Sequence, residues 1–409
     1  MTEMRRAAFV AVGSELLRAQ RLDTNSLLAA RLAGNCGFSF IEKRAIEDDV
    51  EAIARAVKEL ASRVELVVVS GGLGPTADDV TREGVAQAFG LGIARMAALE
   101  GALEARFRRS GRTMPAIAAR MADIIEGAEV LPNPQGTAPG QLLQVGGCTL
   151  VLLPGVPREL ETIFATHLLP RFASAARVAT RTLHLAGVYE SAVEERVSHL
   201  YEKYGRERIT ILAGRGLVDL VLMAQGAECA DVVAAMEKDF ASIAGDDLFG
   251  CDRDTLPAVA LAAVRLRGWR LATAESCTGG MVGAQLTTVP GASDVYVGGV
   301  VAYSNELKQT LLGIDGDAIA THGAVSREVA EAMAVGATRL GAECAIAVTG
   351  VAGPGGGTEA KPVGTVHIAV ITPAGRRHVQ QRFPGDRAFI RELTANVAID
   401  QLRRALLEA

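Results

Sequence analysis

Short apolar runs of strand length alternate with stretches of helical spacing through most of this chain. Ala7 to Val12 is one such run, followed by Gly13-Ser14-Glu15, which reads as a turn. Leu66-Val67-Val68-Val69-Ser70 is a second, running into Gly71-Gly72-Leu73-Gly74. Thr149 to Leu153 is a third, closed by Pro154-Gly155. Between the first two, Asp23-Thr24-Asn25-Ser26 has the residues of a helix start, with Leu27, Leu28 and Leu32 expected on one face. Glu51 to Leu60 continues the helical spacing. Buried strand, glycine turn, then helix is the α/β pattern that places ligands at the carboxyl ends of strands.

The pattern changes in the middle of the chain. Around Pro170 to Thr180 the composition turns to Ala and Arg, which reads as a linker. A compact block follows: strand Arg181 to Gly187, helix Ser191 to Tyr204, strands Ile209 to Ala213 and Leu217 to Ala224, helix Glu228 to Ile243, strand Leu248 to Gly250. Gly214-Arg215-Gly216 marks the hairpin between the two central strands. This βαββα order resembles a KH-type module in outline. It has no GXXG loop between paired helices and no set of stacking aromatics, so a spacer or dimerising role is expected rather than RNA binding.

From Thr255 the α/β alternation resumes. Helix Thr255 to Arg267 leads to strand Trp269 to Ala274, helix Met281 to Thr288 and strand Val295 to Ala302. A helix capped by Ser326 runs to Leu340, then strands Ala345 to Val348 and Gly364 to Ile371, then a last helix after Gly385-Asp386-Arg387. The expected fold class is α/β: two three-layer α/β domains, residues 1–170 and 253–409, joined by a small α+β KH-type module at 171–252.

Composition narrows the class. Of 409 residues, 49% are hydrophobic and 22% charged, so real cores form and disorder is excluded as the class. A net charge of −5 gives no general attraction to nucleic acid. The six cysteines are scattered without a CxxC pair, which argues against a zinc site or a disulfide framework and fits a reducing compartment. No run is long enough to span a bilayer, and the short charged start is no signal segment. A cytoplasmic protein with neither membrane nor nucleic-acid partners is expected.

Candidate chemistry gathers at the strand ends. Ser276 sits where strand turns to helix, with Cys277, Thr278, Gly279 and Gly280 beside it. Free N–H groups around Gly279 and Gly280 would make an oxyanion hole there, although on this heptapeptide alone an ordinary helix cap is the plainer reading. A serine nucleophile needs a base, and no histidine lies in a glycine-rich strand-end turn. Lys308 would serve if burial lowers its pKa, with Tyr303 relaying the proton; Cys277 is the rival nucleophile. A solvated helix face for Lys308 and a buried apolar role for Cys277 stand against these readings. The loop from Gly350 through Gly353 and Gly355 to Gly357 is too glycine-dense for a plain connection, and its N–H groups suit a phosphate. In the first domain, Asp78 and Asp79 follow the glycine loop and can hold a hard cation through oxygen ligands; acidic residues at a helix start are the plain alternative. Two loops rich in Gly and Pro, Leu131 to Gly140 and Pro154 to Glu159, suggest a ligand cleft.

The segments AESCTGG, VPGAS, GGVVAYSNELK, GAVS and VTGVAGPGGGT with KPVGTV resemble the C-terminal domain of the CinA family, which is similar to nicotinamide mononucleotide deamidases. VGSELL, DTN, SGGLGPTADDVT, NPQGTAPGQ and LPGVPREL resemble that family's molybdopterin-biosynthesis-like N-terminal domain. The resemblance covers nearly the whole chain. It implies two hydrolases acting on small nucleotides. One converts nicotinamide mononucleotide to nicotinate mononucleotide and ammonia without a cofactor. The other cleaves ADP-ribose with a divalent metal such as Mg²⁺ at Asp78 and Asp79. It implies Ser276 as nucleophile assisted by Tyr303 and Lys308, and Arg387, with Arg391 as rival, on phosphate or transition state. Cys277, Thr278, Gly279, Gly280, Asn305, Thr349, Gly350, Gly353 and Gly355 would line that pocket. Glu15, Asn25, Gly71, Gly72, Gly74, Thr76, Gly136 and Gly155 would line the other. A homodimer is the expected assembly. A regulatory protein of competence and DNA-damage response and a molybdopterin-binding enzyme are the alternatives.

Overall fold

The computed structural model describes residues 5–18, 21–34, 36–172, 178–226 and 228–408. The described chain divides into two compact units, residues 1–179 with 224–230 and residues 180–223 with 231–409.

The first unit is built on a six-stranded sheet. Strand β1 (Arg5–Val12) is followed by α1 (Asn25–Gly34), β2 (Phe38–Ile46), α2 (Val50–Ala61), β3 (Leu66–Ser70) and α3 (Thr81–Phe89). Then come β4 (Glu129–Leu131), β5 (Gly140–Val145), β6 (Cys148–Leu153) and α4 (Pro157–Ile163). The sheet order is β2-β1-β3-β6-β5-β4, parallel from β2 to β6 and antiparallel beyond. Period-2 geometry sends Ala8, Val10 and Val12 of β1 into one core and Ala7, Phe9 and Ala11 into another, so both faces are covered. Asp49 caps α2 by accepting the Ala52 N–H at 2.8 Å.

The second unit carries a KH-type block and a second α/β layer structure. The block comprises β7 (Val178–Ala186), α5 (Glu190–Val197), β8 (Ile209–Gly214), β9 (Leu217–Gln225), α6 (Cys229–Ala244) and β10 (Leu248–Cys251), with sheet order β8-β9-β7-β10. Then come α7 (Leu256–Leu266), β11 (Leu271–Glu275), α8 (Met281–Leu286), β12 (Tyr296–Val301) and α9 (Asn305–Leu312). The chain ends with α10 (Arg327–Thr338), β13 (Cys344–Gly350), β14 (Thr365–Thr372), β15 (Gly375–Arg382) and α11 (Arg387–Leu407). This sheet has the order β12-β11-β13-β14-β15. Cys344, Ile346 and Val348 of β13 face one core while Ala345 and Ala347 face the other. Thr255, Ser304, Ser326 and Asp386 each cap the following helix through a side-chain oxygen. Among the described residues no helix is long and apolar enough to cross a membrane.

The expected α/β class with a KH-type module is what the chain adopts, with local corrections. Ser14–Leu17 forms one helical turn where a plain turn was expected. Leu27 is exposed, while Leu28 and Leu32 pack on the core as expected, joined by Ala29 and Ala33. The helix expected over Ser191 to Tyr204 breaks after Val197 into a tighter turn before Tyr201–Tyr204. Of the linker expected around Pro170 to Thr180, residues 173–177 lie outside the described residues, and Val178 already belongs to β7.

Candidate active site

Three parallel strands of the second unit end side by side. Glu275 at the end of β11 pairs with Val301 of β12 and Val348 of β13. The Ser276 N–H continues the ladder by donating to Val348 O at 2.9 Å. That bond fixes the backbone of Ser276 and leaves its side chain at the carboxyl edge of the sheet, where open α/β sheets bind ligands. From α9, Lys308 reaches the same point: its Nζ lies 3.1 Å from Ser276 Oγ and donates to Ala302 O at 2.9 Å. Lys308 is buried, and loss of hydration holds its pKa below the ordinary lysine value. The alternative of a solvated helix face for Lys308 is thereby overturned.

Glu275, which the sequence did not single out, shapes the turn. Its buried carboxylate accepts the N–H groups of Gly280, Val282 and Gly283 at 2.8–3.1 Å, satisfying the start of α8. Gly279 and Gly280 adopt positive φ, 61° and 95°, which lets the turn wrap around that carboxylate. The expected oxyanion donors therefore need correction. The Gly280 N–H is spent on Glu275 and the Gly279 N–H on Ser276 O. The N–H groups of Cys277 and Thr278 donate to no backbone carbonyl among the described residues and turn toward the Cys277 sulfur, a weak acceptor. The Thr278 hydroxyl is also buried without a partner, while the Thr278 carbonyl accepts from Arg391 Nη2 at 2.8 Å.

Cys277 is buried in the core with Val282, Leu286 and Val348, and burial pushes its thiol up to about 12. It is a packing residue, as its apolar alternative held. Tyr303 is 58% exposed, and its hydroxyl accepts from Arg387 Nη2 at 2.6 Å. Among the described residues it has no bond to Ser276 or Lys308, so the proton relay expected of it is not assembled. Arg387 also donates to Gly353 O at 2.8 Å, tying α11 to the glycine loop. Arg391 and Arg387 thus both reach this edge of the sheet, one to the serine turn and one to the loop.

Asn305 is the exposed first residue of α9. Thr349 is buried and its hydroxyl is turned to Ala324 O at 2.7 Å, so it braces the loop instead of offering its oxygen to a ligand. Gly350 closes β13 against Val366, and Gly353 lies against Val363. Gly355 has open space where a side chain would stand. The N–H groups of Ala352, Gly353, Gly355, Gly356 and Gly357 find no acceptor among the described residues, which keeps the loop available to an anion.

The first unit has its own cleft at the carboxyl ends of β1, β3 and β6, about 690 Å³ in volume. Glu15, Asn25, Gly71, Gly72, Gly74 and Gly155 line it, together with Asp78 and Asp79. Asn25 donates to Ser70 Oγ at 2.9 Å and Gly155 O at 2.8 Å, and its Oδ1 is buried without a partner. Thr76 and Gly136 are not in the lining; Gly136 packs tightly on Glu159 and Asn133.

The glycine loop there is held from within. Asp79 accepts the Gly74 N–H, the Thr76 N–H and the Thr76 hydroxyl at 2.8, 2.8 and 2.5 Å. Buried Arg82 donates to the carbonyls of Leu73 and Gly74, and Arg120 to those of Thr76 and Asp79. A side chain at Gly72 would strike the Thr81 hydroxyl at 2.2 Å, and one at Gly71 the Val12 carbonyl at 2.2 Å. These glycines admit neighbouring protein atoms rather than clearing room for a ligand. Of the two carboxylates expected to hold a cation, Asp79 is engaged by the loop, its oxygens accepting three hydrogen bonds, and Asp78 is exposed at the cleft wall. Among the described residues no three His, Cys, Asp or Glu side chains are placed to hold a metal ion.

Fold and site together define a multidomain α/β protein with a serine–lysine pair at a strand-to-helix turn. Residues 8–174 match the family described as probable molybdopterin binding domain. Residues 180–250 match the damage-inducible protein CinA KH domain, and residues 253–406 the CinA C-terminal domain. A CinA-like protein of Solibacter usitatus is 39% identical over 98% of both chains. One of Acidobacterium capsulatum is 40% identical over 98% of this chain and all of its own. A solved competence/damage inducible protein, CihA from Agrobacterium tumefaciens, is 40% identical with a TM-score of 0.36, covering 37% of this chain and 93% of its own. The chain belongs to the CinA family.

Proposed function

We propose that the second unit hydrolyses the carboxamide of nicotinamide mononucleotide, giving nicotinate mononucleotide and ammonia. The observation that carries the reading is the contact of Ser276 Oγ with a buried lysine amine at 3.1 Å. In its neutral form Lys308 takes the Ser276 proton as Oγ attacks the carboxamide carbon. The N–H groups of Cys277 and Thr278 receive the oxyanion. The Lys308 ammonium returns its proton to the leaving nitrogen, the C–N bond breaks, and ammonia departs from an ester on Ser276. Water, deprotonated by Lys308, attacks that ester; its C–O bond breaks and Ser276 regains its proton. Apart from the substrate and one water, these steps use only the chain's own groups. The loop Ala352 to Gly357 and Arg387 hold the phosphate. The test is ammonia release from nicotinamide mononucleotide by purified protein, with and without a chelator. Release in both supports the reading, and no release sinks it.

For the first unit the reading is ADP-ribose cleavage, supported by its cleft and by the buried, unpartnered oxygen of Asn25, a lining residue. Asp78 is the carboxylate left for substrate, and Asp79 holds the loop. Production of AMP from ADP-ribose tests it independently of ammonia release.

A further inference from the structure

Helix α11 has two working sides. Arg387 and Arg391, one turn apart, reach the glycine loop and the serine turn. Phe389, Leu393, Val397, Gln401 and Arg404 lie on its other side and line a separate cleft of about 600 Å³. The far wall is the hairpin of the KH-type block, and β15 forms the base. Leu217, Val379, Phe383 and Leu393 give it an apolar floor. Two aromatic rings stand at its mouth, Tyr189 at 80% exposed and Phe389 at 39%. A volume within about 300–1,000 Å³, mostly apolar with a few fixed polar groups, is the usual form of a small-molecule site.

The cationic groups are guanidiniums. Arg377 spends Nε on Gln401 at 2.7 Å and Nη1 on Glu408 at 2.6 Å. Arg215 spends Nε on Glu392 at 2.9 Å. Among the described residues, Arg377 Nη2 and both Nη nitrogens of Arg215 have no acceptor. The Gln401 amide and the Glu408 carboxylate thus hold the Arg377 guanidinium in place while its Nη2 remains unused, and Arg215, an exposed side chain with one carboxylate contact, stands at the hairpin beside it. A guanidinium already oriented loses little freedom when it takes an oxyanion. Exposed rings supply flat apolar area for stacking.

We propose that this cleft is a second small-molecule site, for a planar aromatic ligand carrying one anionic group. The ring lies over Phe389 and Tyr189, and the anion meets Arg215 and Arg377. The site is separate from the Ser276 centre and does not depend on the reaction proposed for it.

The full chain is titrated with two fluorescent probes, anilinonaphthalene sulfonate and phenylnaphthylamine, which differ only by the sulfonate. One sulfonate probe should bind per chain, at least about tenfold tighter than the neutral probe. Arg377→Ala should erase that preference. Phe389→Ala should weaken both probes, and Tyr189→Ala, at a position too exposed to affect folding, should weaken them in the same sense. Excess nicotinamide mononucleotide should not displace the probe. Equal affinity for the two probes, affinity untouched by both aromatic variants, or displacement by the mononucleotide would each overturn the proposal.

Discussion

Two glycine-bearing turns in this protein follow a buried strand and precede a helix, yet they spend their polar groups in opposite ways. After β3, Asp79 folds back on Gly74 and Thr76, and two arginines gather the loop carbonyls. After β11, Glu275 takes the donors of the helix start, and Ser276 is left facing a lysine amine. Glycine between strand and helix is therefore not the mark of a reactive group. What marks one is a polar side chain that the turn itself leaves unsatisfied, beside a base whose hydration has been removed.

The comparison breaks most sharply at the serine turn. Ser276→Ala and Lys308→Met should each lower ammonia release by roughly a thousandfold or more, while binding of nicotinamide mononucleotide by calorimetry persists. The Asp79→Ala variant should leave that rate unchanged.

The pH profile is the next largest effect. Burial lowers the Lys308 pKa, and only the neutral amine accepts a proton. The rate kcat/KM should climb about tenfold per pH unit and then flatten, with the bend below the ordinary lysine value of about 10.4. A bend at or above that value would mean that the amine is not desolvated in solution.

At the N-terminal loop the same experiments should read stability instead. Arg82→Met leaves two buried-side carbonyls unpaired and should cost about 3 kcal/mol in denaturant unfolding. Asp79→Ala should cost about 1–3 kcal/mol, and Asp78→Ala at an exposed position less than about 0.5 kcal/mol. Loss of ADP-ribose cleavage in Asp78→Ala with stability intact would sharpen the division of labour between the two carboxylates. An Asp79→Ala protein as stable as wild type would break it.

Smallest of all should be Cys277→Ala, with less than about a twofold change in ammonia release, because its thiol is core packing.

The strands β1, β3, β6, β11 and β13 were legible because both faces are covered and the runs are continuously apolar, whereas β5, also buried, was not, because Gln141 and Gln144 interrupt its run. The strands β2 and β15 were not. They lie at sheet edges and carry Glu42, Lys43 and Arg44, or Arg376, Arg377 and Arg382, as exposed edges do. Ser276 was legible from its place in the turn. The burial of Lys308 was not, because α9 inverts the usual pattern: Lys308 and Leu312 face inward while Leu307 and Leu311 face out. Glu275 was hidden because a carboxylate ending a strand gives no sign of curling onto the next helix. The brace formed by Asp79 was hidden because an acid after a glycine loop serves equally as ligand or as loop brace, and only the positions of Gly74 and Thr76 show it.

The most direct test is to trap the acyl group. The protein is mixed with nicotinamide mononucleotide, quenched in acid within one turnover, and digested for mass spectrometry. The expected product is the nicotinate mononucleotide acyl group as an ester on Ser276, absent from Ser276→Ala. The same adduct on Cys277, or ammonia release at the wild-type rate by Ser276→Ala, would contradict it.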